Sequence, residues 1–202
     1  MKMSTIGLYP LFLKLGGRRV LVVGGGPVAL GKLDALLEVG AVVTVVAPEV
    51  VPEIAALADS GKISLARRLF ETRDLGGSWL VVAAAPSEVN QAVAAAAESL
   101  RLFVLAVDDT SAASAYGAGT LRRGGVTVAV STNGRAPALA GLLREGLEAV
   151  LPAELEQWTV EAERQRAEWQ AAGVPMAERR PLLLEALNRL YDERRRGAKV
   201  RS

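Results

Sequence analysis

The 202-residue chain contains no cysteine and no histidine, and only 4% of its residues are aromatic. The lack of cysteine excludes a disulfide framework, a thiol nucleophile, an iron–sulfur cluster and a zinc finger. The lack of histidine excludes a Ser-His-Asp triad, an imidazole base and a histidine-ligated metal ion. Any proton transfer must therefore use aspartate, glutamate, lysine, tyrosine or water.

Long apolar runs and long runs of one charge are also missing. No stretch approaches the roughly 20 apolar residues of a membrane span, and the N-terminus lacks the core and cleavage site of a signal peptide. The 24 basic and 22 acidic residues give a net charge of +2, without the long basic run typical of nucleic-acid binding. Half of the residues are hydrophobic, which is enough for a substantial core. We therefore expect a cytoplasmic protein that binds neither nucleic acid nor a membrane.

The first half of the chain alternates apolar segments with amphipathic ones. Strands that are apolar on both faces and alternate with helices indicate a parallel sheet that is covered on each side. We therefore predict an α/β fold with a Rossmann-like domain over residues 1–112. Its strands are predicted at 19–23, 41–47, 62–66, 79–84 and 102–107.

The second half of the chain has a different pattern. Arg122-Arg123-Gly124-Gly125 lies between two strand-like segments, which indicates a hairpin with a glycine-containing turn. Leucines then repeat at helical spacing from Pro137 onward. We predict a hairpin and helix region for dimerisation and substrate binding over 113–150, followed by a helical region over 151–202.

A glycine-rich turn follows the first predicted strand. Gly24-Gly25-Gly26-Pro27-Val28-Ala29 matches G-x-G-x-x-[GA] and lies between a strand and a helix, the context that dinucleotide binding needs. Gly24 permits the tight turn, and Gly26 lets the backbone approach a pyrophosphate at the N-terminus of the helix. The segment therefore predicts a dinucleotide site, and the alternative is a tight turn without a ligand.

The end of the second strand indicates which dinucleotide binds. A carboxylate normally holds the adenosine ribose there, but the strand ends in Ala47-Pro48 and the first acid is Glu49. No basic residue stands there for the 2′-phosphate of NADP. We therefore expect NAD, with its ribose held by the backbone near Pro48 or by Glu49. An ordinary helix-start role for Glu49 is an equal alternative.

Several short segments between residues 5 and 152 occur together in a specific order. They are Tyr9-Pro10-Leu11-Phe12, Val23–Ala29, Val107-Asp108-Asp109, Val128–Gly134, Ala136–Ala140 and Leu142–Glu145. In this order they resemble the precorrin-2 dehydrogenase family of siroheme biosynthesis, which includes the N-terminal module of the trifunctional siroheme synthases. The resemblance implies a homodimer that oxidises precorrin-2 to sirohydrochlorin with NAD, in some members followed by insertion of ferrous iron. The methyltransferase module of the trifunctional enzymes does not fit in this length, so we expect another protein to carry out that methylation.

The resemblance also implies roles for individual residues. Its aspartate of functional importance falls on Asp108, which we predict to be the catalytic base, because strand ends in open α/β sheets face the ligand. Without the resemblance, a turn-capping role for Asp108 would be favoured. The adjacent Asp109 is expected to point to the opposite side. The cofactor contacts of the family fall on Gly24, Gly25, Gly26, Pro27, Val28, Pro48 and Glu49.

Precorrin-2 carries many carboxylates, so we expect arginine in its binding site, since a guanidinium can bond a carboxylate bidentately. The best candidate is Arg135, whose loop carries the resemblance, and we assign Ser131 and Thr132 to the same site. The other candidates are Arg122, Arg123 and Arg144. We predict no metal site in the protein, and ferrous iron would enter only as a substrate.

Two other classes of function stay open at this point. A regulatory module that senses NAD would share the glycine turn but would not turn the dinucleotide over. A pure dimerisation protein would retain the turn without binding a ligand. Visible spectroscopy of the protein incubated with precorrin-2 and NAD would separate all three hypotheses.

Overall fold

The computed structural model describes residues 7–107 and 111–199. The chain divides into two compact units, of which the first contains Met1–Gly117 and Asn133–Arg135 and the second contains Ala118–Thr132 and Ala136–Ser202. No helix in the described part of the chain is long and apolar enough to cross a membrane. The three-part domain division expected from the sequence stays a prediction.

Five parallel strands form the sheet of the first unit, and their spatial order is β3-β2-β1-β4-β5. This arrangement confirms the predicted α/β fold with a Rossmann-like parallel sheet. The strands are β1 (Arg19–Val23), β2 (Val42–Val46), β3 (Ser64–Ala66), β4 (Leu80–Ala83) and β5 (Phe103–Ala106). The register pairs Val23 with Val46 and Ala83, and Ala83 with Ala106, so four strands end at one edge of the sheet.

Three helices cover this sheet. They are α1 (Pro27–Glu38), α2 (Pro52–Asp59) and α3 (Ser87–Ser99). Both α1 and α2 begin with proline, whose missing N–H costs nothing at the first helical position.

The core of the first unit lies on both faces of the sheet. Because neighbouring side chains of a strand point to opposite faces, Val20 and Val22 join one apolar cluster while Leu21 and Val23 join the other. Helices α1 and α2 contribute to the first cluster through Leu33 and Ile54 among others, and α3 contributes to the second through Val93 and Ala97. The fully apolar strands of the sequence are therefore explained by burial on both sides.

Two further features of the first unit lie in segments that connect its strands and α-helices. A short 3₁₀ helix (Thr72–Leu75) that the sequence did not predict is fixed by Asp74, whose carboxylate accepts two hydrogen bonds from Arg68. The outer edge of β5 is partly covered, because the Val104 N–H donates to the Ser114 hydroxyl and the Val104 carbonyl accepts from the N–H groups of Ser114 and Ala115.

The second unit consists of an antiparallel hairpin and three helices. The elements are β6 (Gly119–Arg123), β7 (Val126–Val130), α4 (Pro137–Val150), α5 (Leu155–Ala171) and α6 (Met176–Lys199). Helix α4 packs against both strands, α5 against β7, and α6 along α5. The predicted hairpin and following helices are confirmed.

The hairpin turn is shorter than the sequence indicated. Only Gly124 and Gly125 form it, with φ values of 53° and 78°, whereas both arginines of the predicted turn lie in β6. Two consecutive positive φ angles suit a two-residue turn that matches the twist of the strands. A Cβ atom on Gly124 would lie 2.2 Å from the backbone nitrogen of Glu156. The Gly124 carbonyl accepts a 2.6 Å hydrogen bond from the Thr159 hydroxyl. The turn is therefore fixed against the start of α5.

Candidate functional site

The glycine turn lies at the edge where β1, β2, β4 and β5 end. Gly24 has a φ of 123°, which favours glycine, and its N–H donates a 3.0 Å hydrogen bond to the Val46 carbonyl. A Cβ atom on Gly24 would lie only 2.1 Å from the carbonyl oxygen of Ala84. Glycine at this position is therefore required by backbone contacts within the protein.

Gly25 has a structural role that the motif did not reveal. A Cβ atom there would lie 2.1 Å from the Glu49 carbonyl oxygen and 2.7 Å from Cγ1 of Val50. The Gly25 carbonyl also accepts a 2.8 Å hydrogen bond from the Val51 N–H. The turn after β2 is thus held directly against the glycine turn, a through-space contact that no local sequence pattern indicates.

Gly26 differs from both of its neighbours, because a Cβ atom there would have no described heavy atom within 4 Å. The space beside it is therefore open at the N-terminus of α1. Helix α1 has no side-chain cap and no acidic residue in its first turn. Its first N–H groups and its dipole favour an anion, which fits the pyrophosphate of a dinucleotide.

Pro48 and Glu49 lie in the turn between β2 and α2, beside Gly25, and both are exposed. Glu49 lies two residues before Val51, the N-cap of α2, while the acid in the first turn of that helix is Glu53. The alternative that treats Glu49 as a helix-start residue is therefore weakened. Its side chain remains available to bond a ribose hydroxyl at the same edge.

The turn between β4 and α3 forms the other side of this edge. Its Ala84 N–H donates a 2.8 Å hydrogen bond to the Val23 carbonyl, and its Ala85 N–H donates a 3.0 Å bond to Oδ1 of Asn90. Sequence reasoning missed Asn90, although an amide in an alanine-rich apolar stripe of a helix is a visible irregularity.

The predicted base Asp108 and its neighbour Asp109 lie outside the described residues, so the catalytic assignment stays a prediction. The chain before them is fixed, since β5 ends at Ala106 and the Val107 N–H donates a 3.0 Å hydrogen bond to the Ala83 carbonyl. Val107 therefore follows the strand end next to β4, at the same edge of the sheet as the glycine turn.

The predicted substrate residues lie before α4. Thr132 accepts a 3.1 Å hydrogen bond from the Ala136 N–H, which fixes the entry to the helix. Asn133 and Gly134 both have positive φ angles, 56° and 72°. Ser131 and Arg135 are exposed. The contact of Thr132 is structural, and the substrate role of all three predicted residues stays a prediction.

Two of the other candidate arginines have partners within the second unit. Arg123 donates a 2.6 Å hydrogen bond to the Leu151 carbonyl at the end of α4. Arg144 bonds Glu148 at 2.9 Å and Glu145 at 3.2 Å. Their guanidinium groups already have acceptors, so Arg135 is the better candidate for a substrate carboxylate.

Two family models match the chain. One is described as "Putative NAD(P)-binding" and matches residues 11–117. The other is described as "Sirohaem biosynthesis protein central" and matches residues 123–149. The first therefore includes the glycine turn and the sheet, and the second includes the hairpin turn, β7 and most of α4.

Individual proteins give the same result. The chain is 44% identical to Siroheme synthase 3 of Aeromonas hydrophila over 172 residues, 85% of this chain and 37% of that relative. It is 42% identical to the siroheme synthase of Citrobacter koseri, again over 85% of this chain and 38% of the relative. The chain thus spans little more than a third of the length of these relatives.

A solved structure matches over nearly the whole chain. It is SirC, precorrin-2 dehydrogenase, which is 27% identical, covers 88% of each chain and has a TM-score of 0.67. Because this match comes from three-dimensional structure, it is separate support for the resemblance in the sequence. The chain therefore belongs to the family described as "Putative NAD(P)-binding", and over most of its length it is similar to a precorrin-2 dehydrogenase.

Proposed function

We propose that the chain oxidises precorrin-2 to sirohydrochlorin with NAD as the hydride acceptor. The observation that carries this proposal is the similarity to SirC over 88% of both chains. An alignment of that length extends beyond the first unit, so it includes more than a nucleotide-binding fold. The siroheme synthase relatives support the same substrate class, since the part of them that matches contains both the NAD(P)-binding and the central region.

The first unit binds the dinucleotide in this proposal. When bound, NAD supplies a nicotinamide ring that accepts a hydride. The N–H groups at the start of α1 bond its pyrophosphate, and Gly26 leaves the space that this approach needs. The exposed carboxylate of Glu49 bonds a ribose hydroxyl and would repel the 2′-phosphate of NADP. NAD is therefore preferred over NADP.

Dehydrogenation also releases a proton, which the protein must accept or pass to solvent. We assign this role to a carboxylate oxygen of Asp108. The assignment is supported by the absence of histidine and cysteine from the chain and by the position of Asp108 in sequence, two residues after the end of β5. A carboxylate held next to the substrate can accept a proton in general acid–base catalysis.

The acidic macrocycle is bound through the loop before α4. The exposed guanidinium of Arg135 bonds a substrate carboxylate, and the hydroxyl groups of Ser131 and Thr132 add hydrogen bonds.

Iron insertion is a further activity that the family implies, with ferrous iron as a substrate. The dehydrogenation uses NAD, and both reactions use a tetrapyrrole. Because these compounds are products of metabolism inside the cell, we place the protein in the cytoplasm.

A homodimer completes the proposal. In a single chain, helix α4 exposes an apolar face to solvent. This face consists of Leu139, Leu142, Leu143, Leu147 and Val150. A monomer that exposed this face to water would forgo about 25 cal/mol for each Å² that a second copy could bury. A dimer formed by α4 and its neighbours would bury the face and could bring residues of both copies to each active site.

Visible spectroscopy tests this function directly. Purified protein is incubated with precorrin-2 and NAD, because the extended conjugation of the product changes the absorption spectrum. We expect the product band to form together with one NADH per macrocycle. Binding of NAD without either change would instead support the regulatory module, and no binding of NAD would support the dimerisation protein.

A further inference from the structure

Asn90 is a polar residue in the largely apolar interior of the first unit. Its side chain is 2% exposed, and among the described residues the only other buried polar or charged side chain is that of Ser78. Helix α3 buries Asn90 on the same face as Val93 and Ala97. A buried amide is costly unless it forms hydrogen bonds, so a specific contact must account for it.

That contact is with the turn between β4 and α3. Oδ1 of Asn90 accepts a 3.0 Å hydrogen bond from the Ala85 N–H, and the backbone N–H of Asn90 donates a 3.0 Å bond to the Pro86 carbonyl. The bond to Pro86, the N-cap residue of α3, is an ordinary i→i−4 helical bond, so the specific contact of Asn90 with the turn is the one that its side chain forms with Ala85. Without the side chain, the Ala85 N–H would have to find another acceptor, and the turn could move.

The position of this turn determines the position of the glycine turn. The carbonyl oxygen of Ala84 lies so close to Gly24 that a Cβ atom there would be 2.1 Å away. On its other side the glycine turn is held by the turn after β2, through the bond from Val51 to Gly25. Gly24 and Gly25 therefore lie between two fixed turns, and a shift of Ala84 would move the N–H groups that follow them.

We infer that Asn90 is a positioning residue for the dinucleotide, acting through Ala85 and Ala84 on the glycine turn. The inference rests on the proposed function, because it takes NAD as the ligand of that turn. Asn90 need not contact the ligand. Its bond fixes the turn before NAD binds, so that binding does not have to order it.

The test compares Asn90→Ala and Asn90→Leu with Ser78→Ala as a control. Asn90→Leu keeps the volume but removes the acceptor, whereas Asn90→Ala leaves space in which water can reach the Ala85 N–H. Ser78 is the other buried polar residue, and it precedes β4 at the end of the strand opposite to Ala85. Any general effect of losing a buried polar group should therefore appear in the control as well.

The first readout is the NAD dissociation constant from calorimetric titration, together with the melting temperature of each variant. We expect Asn90→Leu to weaken NAD binding about tenfold, which corresponds to about 1.4 kcal/mol, and Asn90→Ala to weaken it less. In turnover assays the KM for NAD should rise by the same factor, while kcat and the KM for precorrin-2 stay within about twofold. Ser78→Ala should lower the melting temperature without changing NAD affinity.

A measurement on the unaltered protein covers the case in which the Asn90 variants do not fold. The Ala85 amide should exchange slowly with deuterated solvent even without NAD, since its bond is formed in advance. Rapid exchange of that amide in the NAD-free protein would overturn the inference. So would an Asn90→Leu or Asn90→Ala protein that folds and binds NAD as tightly as the unaltered one. If the unaltered protein itself bound no NAD, the proposed function would fail first.

Discussion

The two units bury apolar side chains to very different extents. The first has two apolar clusters, one on each face of its sheet, with Leu33 and Ile54 completely buried. In the second unit, the described residues bury only four hydrophobic side chains, those of Leu121, Ala140, Leu155 and Ala186. The helices of the first unit, which have 8–13 residues, thus pack on a core, whereas the 14-residue helix α4 of the second exposes leucines. This difference in burial supports the proposal that a second copy of the chain covers the apolar face of α4.

The largest expected effect concerns a residue of the first unit whose loss should not disturb folding. Asp108→Asn keeps the size of the side chain but removes its basicity. We expect the rate of precorrin-2 oxidation to fall by about 10²–10⁴, the usual contribution of general acid–base catalysis. NAD affinity and melting temperature should stay unchanged, and Asp109→Asn should have a much smaller effect. Full turnover by Asp108→Asn would mean that the proton leaves to solvent.

The difference in burial predicts different responses to loss of an apolar side chain. Ile54→Ala removes a completely buried side chain of the first unit, so it should lower the free energy of unfolding by about 2–5 kcal/mol. Because that cluster lies within one chain, the loss should not depend on protein concentration. Chemical denaturation at two concentrations measures it.

The complementary change is Leu142→Glu on α4, where the leucine is 66% exposed within the chain. The new charge should prevent α4 from packing against a second copy, because burial of an unpaired carboxylate is unfavourable. Sedimentation should then give a mass near 21.2 kDa instead of twice that value. Leu69→Glu is the control, since Leu69 is 70% exposed in the first unit and should leave the dimer intact. An unaltered protein that sediments as a monomer at micromolar concentration would contradict the dimer.

Valine substitutions at two equally open glycines of the first unit distinguish an effect on NAD binding from an effect on folding. Gly26 and Gly31 both have space for a side chain, but only Gly26 adjoins the N-terminus of α1. We expect Gly26→Val to weaken NAD binding at least tenfold, about 1.4 kcal/mol, and Gly31→Val to leave it unchanged. Calorimetric titration of both variants provides the comparison. Equal affinity in Gly26→Val and the unaltered protein would disprove the pyrophosphate assignment.

The smallest predicted effect is a pH dependence of stability in the first unit. Hydrogen bonds from Arg68 lower the pKa of Asp74 below its ordinary value of 3.8. A carboxyl group with a lowered pKa in the folded state stabilises the fold above that ordinary value, and the contribution is lost as the pH falls below it. Asp74→Asn should therefore cost about 1 kcal/mol or less at neutral pH and reduce the loss of stability on acidification. Replacement of the exposed Asp59 by asparagine is the control for denaturation measured between neutral pH and acid.

Local patterns predicted the elements of both units because strand and helix periodicity depends on neighbours in sequence. The parallel sheet, the hairpin and the helices after it follow from such patterns. The role of Gly25 does not, because the atoms that exclude a side chain there belong to Glu49 and Val50. The bond between Asn90 and Ala85 and the pairing of Arg68 with Asp74 likewise depend on how the chain returns on itself. The two arginines placed in the hairpin turn were misassigned, since two glycines suffice to close it.

The two outer strands of the parallel sheet, β3 and β5, bear on whether the protein aggregates at high concentration. An edge strand with free N–H and carbonyl groups can pair with a strand of another molecule and start aggregation. Here one edge strand, β3, has only three residues, and the backbone of Val104 in the other already bonds Ser114 and Ala115. A sheet that ends in this way offers little to a strand from another molecule. Copies of the chain should therefore not pair through the edges of this sheet, and the sheet should not grow into a continuous stack.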